Sequence, residues 1–573
     1  MTGAPTRSPA GLLLAVAFAL ALPLDGASDY FVSGVVVDSR SHAPLANAMV
    51  SLAPATARER KLEQVTKKDG RFSFTVSGPR KYSLSVTKQG YPSQAYKEAA
   101  FAGVSSAIVP RDDQDTGHIV FEARRGSVIA GLVKDEDSEP VANALVAIFQ
   151  SAVLDGERRI IGRGQTRANA AGEFRLSGLP SGNYYVCAMG RPWFADPIIQ
   201  LQGMQRIAAR LPGAVRTEPG GEHREETSQS APKFSRDPGF RGTAFSTTFY
   251  PNGQSVEQAS LVRLDAGGEA QVSITLPLAR AVSVTATISV PAETSAGRAS
   301  LYKKVHDGYV SFLDVWISKD GKFHFDNVPP GSYEIIATSQ AGTGASSWHV
   351  RDQVEVGVSD IEVTLTPQSL GSLSGRVLFE GERPAPTADL FVTLRNEEGG
   401  LARTEVSPQG SFSLPRLPAG RYEVTAGNAD YIAAYFTGSD GERLPLTLTI
   451  PPGETTHRDL TLTRAVSVIE GTVENAGAPQ IGAFVLLMPK NASERWAYRV
   501  DQTDSDGSYR LATIPSGDYF LIALSDGNDV AYRDAKVAAI LSKAAKPVHV
   551  DAGDRLEVKM DVVSTATVKL GQP

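Results

Sequence analysis

The chain has 573 residues, a formal net charge of −6 and 42% hydrophobic residues. At about 100–200 residues per domain this length allows roughly three to six domains, and a mildly acidic chain without a long Lys/Arg run argues against a nucleic-acid-binding protein. The 53 glycines and 35 prolines are typical of many turns between short strands.

Residues 1–28 are predicted to be a secretory signal peptide. Arg7 supplies the positive start, Leu12 to Leu22 form the apolar centre, and Gly26-Ala27-Ser28 offers a cleavage site of small residues. The apolar stretch is too short to span a bilayer comfortably, and no later stretch of about 18 apolar residues follows. We therefore expect an exported protein without a transmembrane segment in the mature chain, with a retained N-terminal anchor as the alternative.

One strand–turn–strand unit then recurs five times. In its last copy Asp506-Gly507 forms a tight turn, and Tyr509 and Leu511 then alternate with polar residues as in a half-buried strand. Pro515 and Gly517 turn the chain again before the next strand begins. The first turn of each copy centres on Gly70, Gly172, Gly321, Gly410 or Gly507. Separations of 89 to 149 residues suit complete small domains and not the short repeats of solenoids.

The sequence thus predicts five all-β domains, which we name sandwich 1 to sandwich 5. Their predicted limits are 29–123, 124–280, 281–368, 369–465 and 466–573. Within sandwich 2, residues from about 213 to 242 have few apolar positions and are predicted to be a disordered insertion. Within sandwich 5, residues from about 531 to 544 carry apolar side chains at helical spacing and are predicted to form one short helix. The joints between domains are only a few residues long, which predicts a semi-rigid rod.

Two single residues recur at fixed places in these domains. A glycine lies inside the first strand of four copies, where sandwich 3, the most divergent copy, has Ala286 instead; the glycines are Gly34, Gly131, Gly375 and Gly471. Glycine inside a strand predicts a bulge or the close approach of another backbone. A tyrosine follows the second turn in every copy, which indicates a role in the core or in a tyrosine corner; these are Tyr82, Tyr184, Tyr333, Tyr422 and Tyr519.

The combined pattern resembles a known family. A first strand with an internal glycine is followed by Pro44-Leu45-Ala46-Asn47-Ala48-Met49-Val50, then by the turn Asp69-Gly70-Arg71-Phe72, and in other copies by Leu-Pro-x-Gly-x-Tyr. This combination resembles the carboxypeptidase regulatory-like domain, in the tandem form found in large secreted bacterial proteins. The resemblance implies Greek-key β-sandwiches of the transthyretin-like type, grouped with starch-binding-like and other carbohydrate-binding-like folds. Its motifs are specific for a fold and weak for an activity.

A zinc peptidase is the first activity to test against the residues. His223 and Glu226 match the His-x-x-Glu spacing of such enzymes, and His349 lies further along the chain. His223, however, falls in the predicted disordered insertion, which cannot fix the geometry of a metal ligand. We expect no metal site, no cofactor and no catalytic residues.

Two further motifs are given structural interpretations. Asp504 and Asp506 resemble part of a calcium loop, but Gln502 and Thr513 stand where that loop needs carboxylates, so an ordinary turn is predicted. Cys187 is the single cysteine and lies in an apolar strand-like run, which predicts a small buried hydrophobic residue and not a reactive thiol.

Exposed tryptophans could stack on sugar rings, as they do in carbohydrate-binding sandwiches, although packing in a core is the alternative at each position. The candidate ligand-binding residues are Trp193, Trp316, Trp348 and Trp496. We therefore expect an exported, non-enzymatic binding protein of the cell envelope whose partner is a polysaccharide or a cell-surface protein, serving carbohydrate binding or adhesion. A structural stalk or assembly partner is the alternative.

Overall fold

The computed structural model describes residues 29–566 except 56–59, 79, 99–103, 112–115, 192–241, 290–296, 306–307, 319, 340–347, 381–388, 397–399, 429, 439, 493 and 528. The predicted signal peptide, Trp193 and His223 lie outside the described residues, as does nearly all of the predicted insertion. Within the described ranges no helix is long and apolar enough to cross a membrane.

The first three sandwiches contain strands β1 to β26. Sandwich 1 has β1 (Asp29–Asp38), β2 (Met49–Pro54), β3 (Leu62–Val65), β4 (Arg71–Ser77), β5 (Tyr82–Lys88), β6 (Tyr91–Ala95), β7 (Ala107–Ile108) and β8 (Ile119–Ala123). Sandwich 2 has β9 (Ser127–Asp135), β10 (Leu145–Leu154), β11 (Glu157–Arg167), β12 (Glu173–Leu179), β13 (Gly182–Met189), β14 (Thr243–Phe245), β15 (Thr248–Phe249), β16 (Val262–Leu264), β17 (Glu269–Leu276) and β18 (Leu278–Arg280). Sandwich 3 has β19 (Val282–Ile288), β20 (Gly297–Val305), β21 (Gly308–Trp316), β22 (Lys322–Val328), β23 (Gly331–Ser339), β24 (Trp348–Val356), β25 (Ile361–Leu365) and β26 (Gln368–Ser369).

The last two sandwiches contain the remaining strands and the helix. Sandwich 4 has β27 (Gly371–Phe379), β28 (Phe391–Asn396), β29 (Leu401–Glu405), β30 (Ser411–Leu417), β31 (Gly420–Gly427), β32 (Tyr431–Thr437), β33 (Arg443–Leu444), β34 (Thr447–Ile450), β35 (Thr455–His457) and β36 (Asp459–Arg464). Sandwich 5 has β37 (Ser467–Asn475), β38 (Ala478–Pro479), β39 (Phe484–Pro489), β40 (Arg499–Gln502), β41 (Ser508–Ile514), β42 (Gly517–Leu524), α1 (Ala535–Ala544), β43 (Lys546–Val550), β44 (Arg555–Glu557) and β45 (Met560–Asp561). Short 3₁₀ turns span Val256–Gln258 and Arg495–Ala497.

All five sandwiches share one strand plan. The first strand pairs antiparallel with the strand that follows the Asp-Gly-type turn and parallel with the closing strand, as β1 does with β4 and β8. A second sheet, built around a pair such as β2 and β5, covers the apolar face of the first. In sandwich 4, pairing of β32 with β36 joins both sheets into one continuous sheet. The prediction of five tandem β-sandwiches with one short helix is confirmed.

The glycine inside the first strand marks a close approach of two backbones, as predicted. A Cβ atom built on Gly131 would lie 1.9 Å from the carbonyl oxygen of Val272 on the closing strand. Gly34, Gly375 and Gly471 would meet a closing-strand carbonyl at 2.0, 1.8 and 2.0 Å. Ala286 of sandwich 3 occupies the same register, opposite Val363. The closing strand therefore sits against a bare backbone in four sandwiches and tolerates a methyl group in one.

The recurring tyrosines form corners, also as predicted. The hydroxyl of Tyr184 donates to the carbonyl of Pro180 at 2.6 Å, so the ring fills the core while its polar end closes the preceding turn. The same contact, to the proline four residues earlier, is made by Tyr333, Tyr422 and Tyr519 at 3.0, 2.8 and 2.8 Å. Tyr82 donates instead to the carbonyl of Ser77 at 3.2 Å.

Raising the pH above about 10 is expected to destabilise these corners. Burial raises the pKa of Tyr184 and of Tyr519 to about 12, from the ordinary value of 10.0. Because the folded-state pKa is the higher one, the contribution of each tyrosine is complete below pH 10 and is lost as the pH rises to about 12. Two pH units correspond to about 2–3 kcal/mol per tyrosine. The urea transitions of sandwiches 2 and 5 should shift to lower urea between about pH 9 and pH 12, and the double variant Tyr184→Phe, Tyr519→Phe should reduce that shift in both; an unchanged shift would refute the assignment.

The sandwiches do not form the extended rod that the short joints suggested, and that prediction is wrong. Sandwich 5 folds back onto sandwich 1 through residues 502–506, which we call the docking turn. The carboxylate of Asp504 accepts from the backbone N–H of Ala107 at 2.8 Å and pairs with the ammonium of Lys81. The N–H of Ser505 donates to the carbonyl of Ala107 at 2.9 Å. Contacts between the first and last sandwiches bend the chain into a closed arrangement.

The docking turn is buried, so these contacts form a true interface. Thr503 is 0% and Asp504 4% exposed, and the carbonyl of Thr503 accepts from the hydroxyl of Ser106 at 2.7 Å. Arg111 of sandwich 1 pairs with Asp506 at 2.8 Å. The two carboxylates that resembled part of a calcium loop therefore keep the predicted turn and also bind the neighbouring sandwich. Among the described residues no group of three His, Cys, Asp or Glu side chains could hold a metal ion.

Candidate functional site: the cavity between sandwiches 2 and 5

A second set of contacts places sandwich 2 against its distant neighbours. The turn between β10 and β11 (residues 154–159), which we call the hub turn, reaches sandwiches 4 and 5. Asp155 pairs with Arg395 of sandwich 4 at 3.2 Å. The carbonyl of Gly156 accepts from the N–H of Arg533 at 3.0 Å, and Glu157 pairs with Arg495; both partners belong to sandwich 5. The hub turn thus fixes three sandwiches relative to one another.

The hub turn is built for this packing. Gly156 has a φ of +77°, and a Cβ atom there would lie 2.4 Å from the ring of Tyr532, so only glycine fits between the turn and sandwich 5. Burial raises the pKa of Glu157, but hydrogen bonds from Arg159 and Arg495 outweigh it and hold that pKa below its ordinary value. Glu157 is therefore charged near neutral pH and pairs with the guanidinium groups of both Arg159 and Arg495.

Sandwiches 2 and 3 meet through an apolar seam instead. Phe149 and Met189 of sandwich 2 pack with Val305 and Val310 of sandwich 3. Cys187 lies in this seam with 0% exposure, and burial raises the pKa of its thiol to about 12. The prediction of a small buried hydrophobic residue is confirmed, since a protonated and covered thiol is a poor nucleophile.

These contacts border an open cavity of about 2350 Å³ whose walls come from sandwiches 2, 3, 4 and 5. The repeated Pro-x-Gly turn supplies two of the walls, through Ser181-Gly182 of sandwich 2 and Pro418-Ala419-Gly420 of sandwich 4. Sandwich 5 supplies residues around Asp534, whose carboxylate accepts from two backbone N–H groups at the start of α1. The cavity therefore depends on the closed arrangement, because no single sandwich could form it.

Sandwich 3 contributes the outer face of its sheet β21-β20-β23-β24-β26. Ala299, Ile335 and Val350 point into the core, and the residues between them consequently face outward. Two of these outward residues, His349 and Arg351, line the cavity. Arg351 is held by Glu334, with one contact at 3.0 Å, and burial together with the Arg351 charge lowers the pKa of His349.

The outer face ends at an exposed aromatic ring. Trp316 is 65% exposed on β21, and the pairing registers place Arg298, Thr338 and His349 next to it on successive strands. With about 4.8 Å between neighbouring strands, this row is about 14 Å long. Arg298 is fixed by Asp314 at 3.0 Å. The row, which we call the tryptophan row, thus joins an open indole to the wall of the cavity.

The predicted tryptophans differ in how far the structure exposes their rings. Trp348 is 4% exposed and packs within the core of sandwich 3, which covers its ring. Trp496 lies in the 3₁₀ turn Arg495–Ala497 and packs partly against the core of sandwich 5. Trp193 lies outside the described residues. Sugar binding by these residues stays a prediction, and Trp316 alone of the described three presents a largely open face.

Sequence reasoning missed the charged lining of the cavity. The lining contains nine Lys and Arg residues and six Asp and Glu residues, although the chain as a whole has a net charge of −6. These residues come from hairpins about 100 residues apart and share no local motif. The one available signal was the repeated Pro-x-Gly turn, which marks the sandwich end that faces the cavity in sandwiches 2 and 4.

Solved structures with similar folds are distant from this chain. The Bacillus anthracis TIE protein is 12% identical over 76% of this chain and 74% of its own, with a TM-score of 0.16. The major pilin subunit BcpA of Bacillus cereus is 11% identical over 59% and 99% of the two chains, with a TM-score of 0.13. The RrgB pilus protein from Streptococcus pneumoniae is 8% identical over 78% and 99%, with a TM-score of 0.14. Scores this low bear on neither the domain arrangement nor the function.

Comparison by sequence gives a more specific result. No curated protein matches the chain. Residues 32–109 match the family model of the carboxypeptidase regulatory-like domain. These residues contain Gly34, the stretch from Pro44 to Val50 and the Asp69-Gly70 turn, on which the resemblance was based. Sandwich 1 thus matches the family that its motifs resembled.

Proposed function

We propose that the protein is a non-enzymatic glycan-binding protein of the cell surface, and that the tryptophan row is its contact surface. The observation that carries the proposal is Trp316, a large ring left 65% exposed beside a fixed guanidinium group. An exposed aromatic ring offers an apolar surface that a partner can cover, and sugar rings have an apolar face that fits flat on an indole. Export to the cell surface rests on the signal peptide predicted for residues 1–28.

The neighbours of Trp316 suit the polar edge of a sugar. Arg298 and Thr338 offer hydrogen-bond donors, and Asp314 offers carboxylate oxygens on the same face. Binding sites commonly combine an apolar surface with a few fixed polar groups that set orientation. The ion pair between Arg298 and Asp314 fixes those groups before the ligand arrives, which lowers the entropy cost of binding.

Trp316→Ala is expected to weaken glycan binding about tenfold, the value of one aromatic contact of roughly 1.4 kcal/mol. A glycan array probed with residues 29–573 would identify a ligand, and titration calorimetry would compare the variant with the parent. Leu401→Ala is a matched control, because Leu401 is 64% exposed on a strand of sandwich 4. Equal loss in both variants, or none in Trp316→Ala, would contradict the proposed contact surface.

Protein assembly is the second candidate, and a different surface favours it. Phe31 is 63% and Val120 47% exposed on strands of the same three-stranded sheet of sandwich 1. Val120 lies opposite Val35, four residues along β1 from Phe31, so the two exposed side chains share one sheet face. Exposed apolar residues spread over one sheet face are typical of a protein–protein contact. If the protein binds no glycan in the array, protein assembly becomes the better supported function.

A further inference from the structure

We propose that the open cavity lined by sandwiches 2 to 5 binds an acidic polysaccharide, with Arg421 as a contact for its carboxylate groups. This inference rests on the proposed glycan-binding function and names the chemical class of the ligand. It places the ligand along a path from the tryptophan row into the cavity, since His349 belongs to both.

The size of the cavity favours a chain of sugars over a small molecule. Pockets for small ligands usually measure about 300–1,000 Å³, and this one measures about 2350 Å³. The row from Trp316 to His349 adds about 14 Å of sheet surface outside it. A ligand that covers both must be an extended oligomer.

The charge of the lining favours an acidic ligand. The nine Lys and Arg residues exceed the six Asp and Glu residues by three. Three of the acidic side chains are engaged by protein groups, since Glu157 pairs with Arg159 and Arg495, Glu334 pairs with Arg351, and Asp534 caps α1. Arg395 is balanced by Asp155 outside the lining, and the lining as a whole keeps an excess of positive charge.

Two guanidinium groups keep unused donors. Arg421 is exposed on β31, directly after the Pro-x-Gly turn of sandwich 4, and within the described part of the chain no carboxylate lies within ion-pair distance. Arg533 lies over the ring of Tyr498, 5.6 Å from its centroid, and its buried Nε finds no hydrogen-bond partner among the described residues. Guanidinium groups bind carboxylates through two parallel hydrogen bonds, which makes them suitable contacts for uronic acid residues.

The test compares hexagalacturonate with the neutral maltohexaose by titration calorimetry on residues 29–573. We expect hexagalacturonate to bind more tightly and to weaken as salt is added, because salt screens the excess charge. Arg421→Gln should weaken its binding roughly tenfold, the value of one charged hydrogen bond. Arg376→Gln is the matched control, since Arg376 is exposed on the same sandwich but outside the cavity lining.

Three other results would contradict the acidic specificity, the glycan binding or the assignment to a polysaccharide. If both oligosaccharides bind equally and Arg421→Gln has no effect, the acidic specificity is refuted while glycan binding stands. If neither oligosaccharide binds and the glycan array is empty, the proposed function itself fails. If a poly-glutamate peptide binds as tightly as hexagalacturonate and is equally sensitive to Arg421→Gln, the cavity recognises acidic peptides and the assignment to a polysaccharide is wrong.

Discussion

Gly131→Ala is expected to destabilise sandwich 2 by about 3 kcal/mol, at the upper end of the usual cost of overpacking. The new methyl carbon would lie 1.9 Å from the carbonyl oxygen of Val272 and close to the ring of Phe174. Both neighbours are held, the first by the parallel pairing of β9 with β17 and the second by the core. The closing strand can make room only by moving away from β9, which weakens that pairing.

Amide hydrogen exchange in the intact chain measures this effect locally, because global unfolding of five domains is not a two-state process. A loss of about 3 kcal/mol accelerates exchange of the β9 and β17 amides by more than a hundredfold if they open together. Ala286→Gly in sandwich 3 is the matched control, with an expected cost of about 0.5–1 kcal/mol for added backbone freedom. Exchange that is as slow in Gly131→Ala as in the parent would refute the close-approach account.

Asp504→Ala is expected to release sandwich 5 from sandwich 1, at a cost to the interface of about 3 kcal/mol. The substitution removes the partner of the Ala107 N–H at the buried docking turn and the partner of Lys81, whose side chain is 39% exposed. Unsatisfied buried groups of this kind cost about 1–3 kcal/mol each. Burial raises the pKa of Asp504, and the nearby Lys81 ammonium opposes that rise. Because burial removes water from the carboxylate, its contacts with protein groups stabilise it instead.

Spin labels on two exposed lysines, introduced as Lys68→Cys and Lys536→Cys, report the separation of sandwiches 1 and 5. Cys187 does not interfere, because it is 0% exposed and burial raises its pKa to about 12. We expect one narrow distance in the parent and a broad, longer distribution in Asp504→Ala. Ser407→Ala is the control, since Ser407 holds the corresponding turn in sandwich 4 through a contact to Ser411. A narrow distance retained in Asp504→Ala would show that the docking turn does not hold the sandwiches together.

Local features of the fold could be predicted because their causes lie within a few residues of sequence. The Asp-Gly-type turns need glycine at positive φ, as Gly172 and Gly507 show at +73° and +74°. Tyr184 lies four residues after the proline that it contacts. The helix near the C-terminus follows from the spacing of its apolar residues, with Asp534 as its cap. Repetition made the turns and the tyrosines visible in the sequence, whereas the helix was visible from its own apolar spacing.

The relative arrangement of the sandwiches could not be predicted, because its causes are not repeated. Asp504 looks like any polar residue before a turn, and its partner Lys81 lies more than 400 residues earlier. An Asp-Gly pair also stands between the corresponding strands of sandwich 3, at Asp307 and Gly308, so Asp155-Gly156 alone did not mark the hub turn. The cavity follows from such pairs alone, so the sequence did not reveal its charged lining. Of the three predicted tryptophans that the structure describes, only Trp316 lies on an open surface adjoining the cavity.

Small-angle X-ray scattering of residues 29–573 tests the closed arrangement most directly. A compact chain of this length has a radius of gyration of about 24 Å, and a closed ring around a cavity should fall at about 25–30 Å. A rod of five sandwiches, each about 33 Å long, would extend over roughly 165 Å and give a much larger radius. A value near 30 Å supports the docking of sandwich 5 on sandwich 1, and a maximum dimension near 165 Å would contradict it together with the cavity and its proposed ligand.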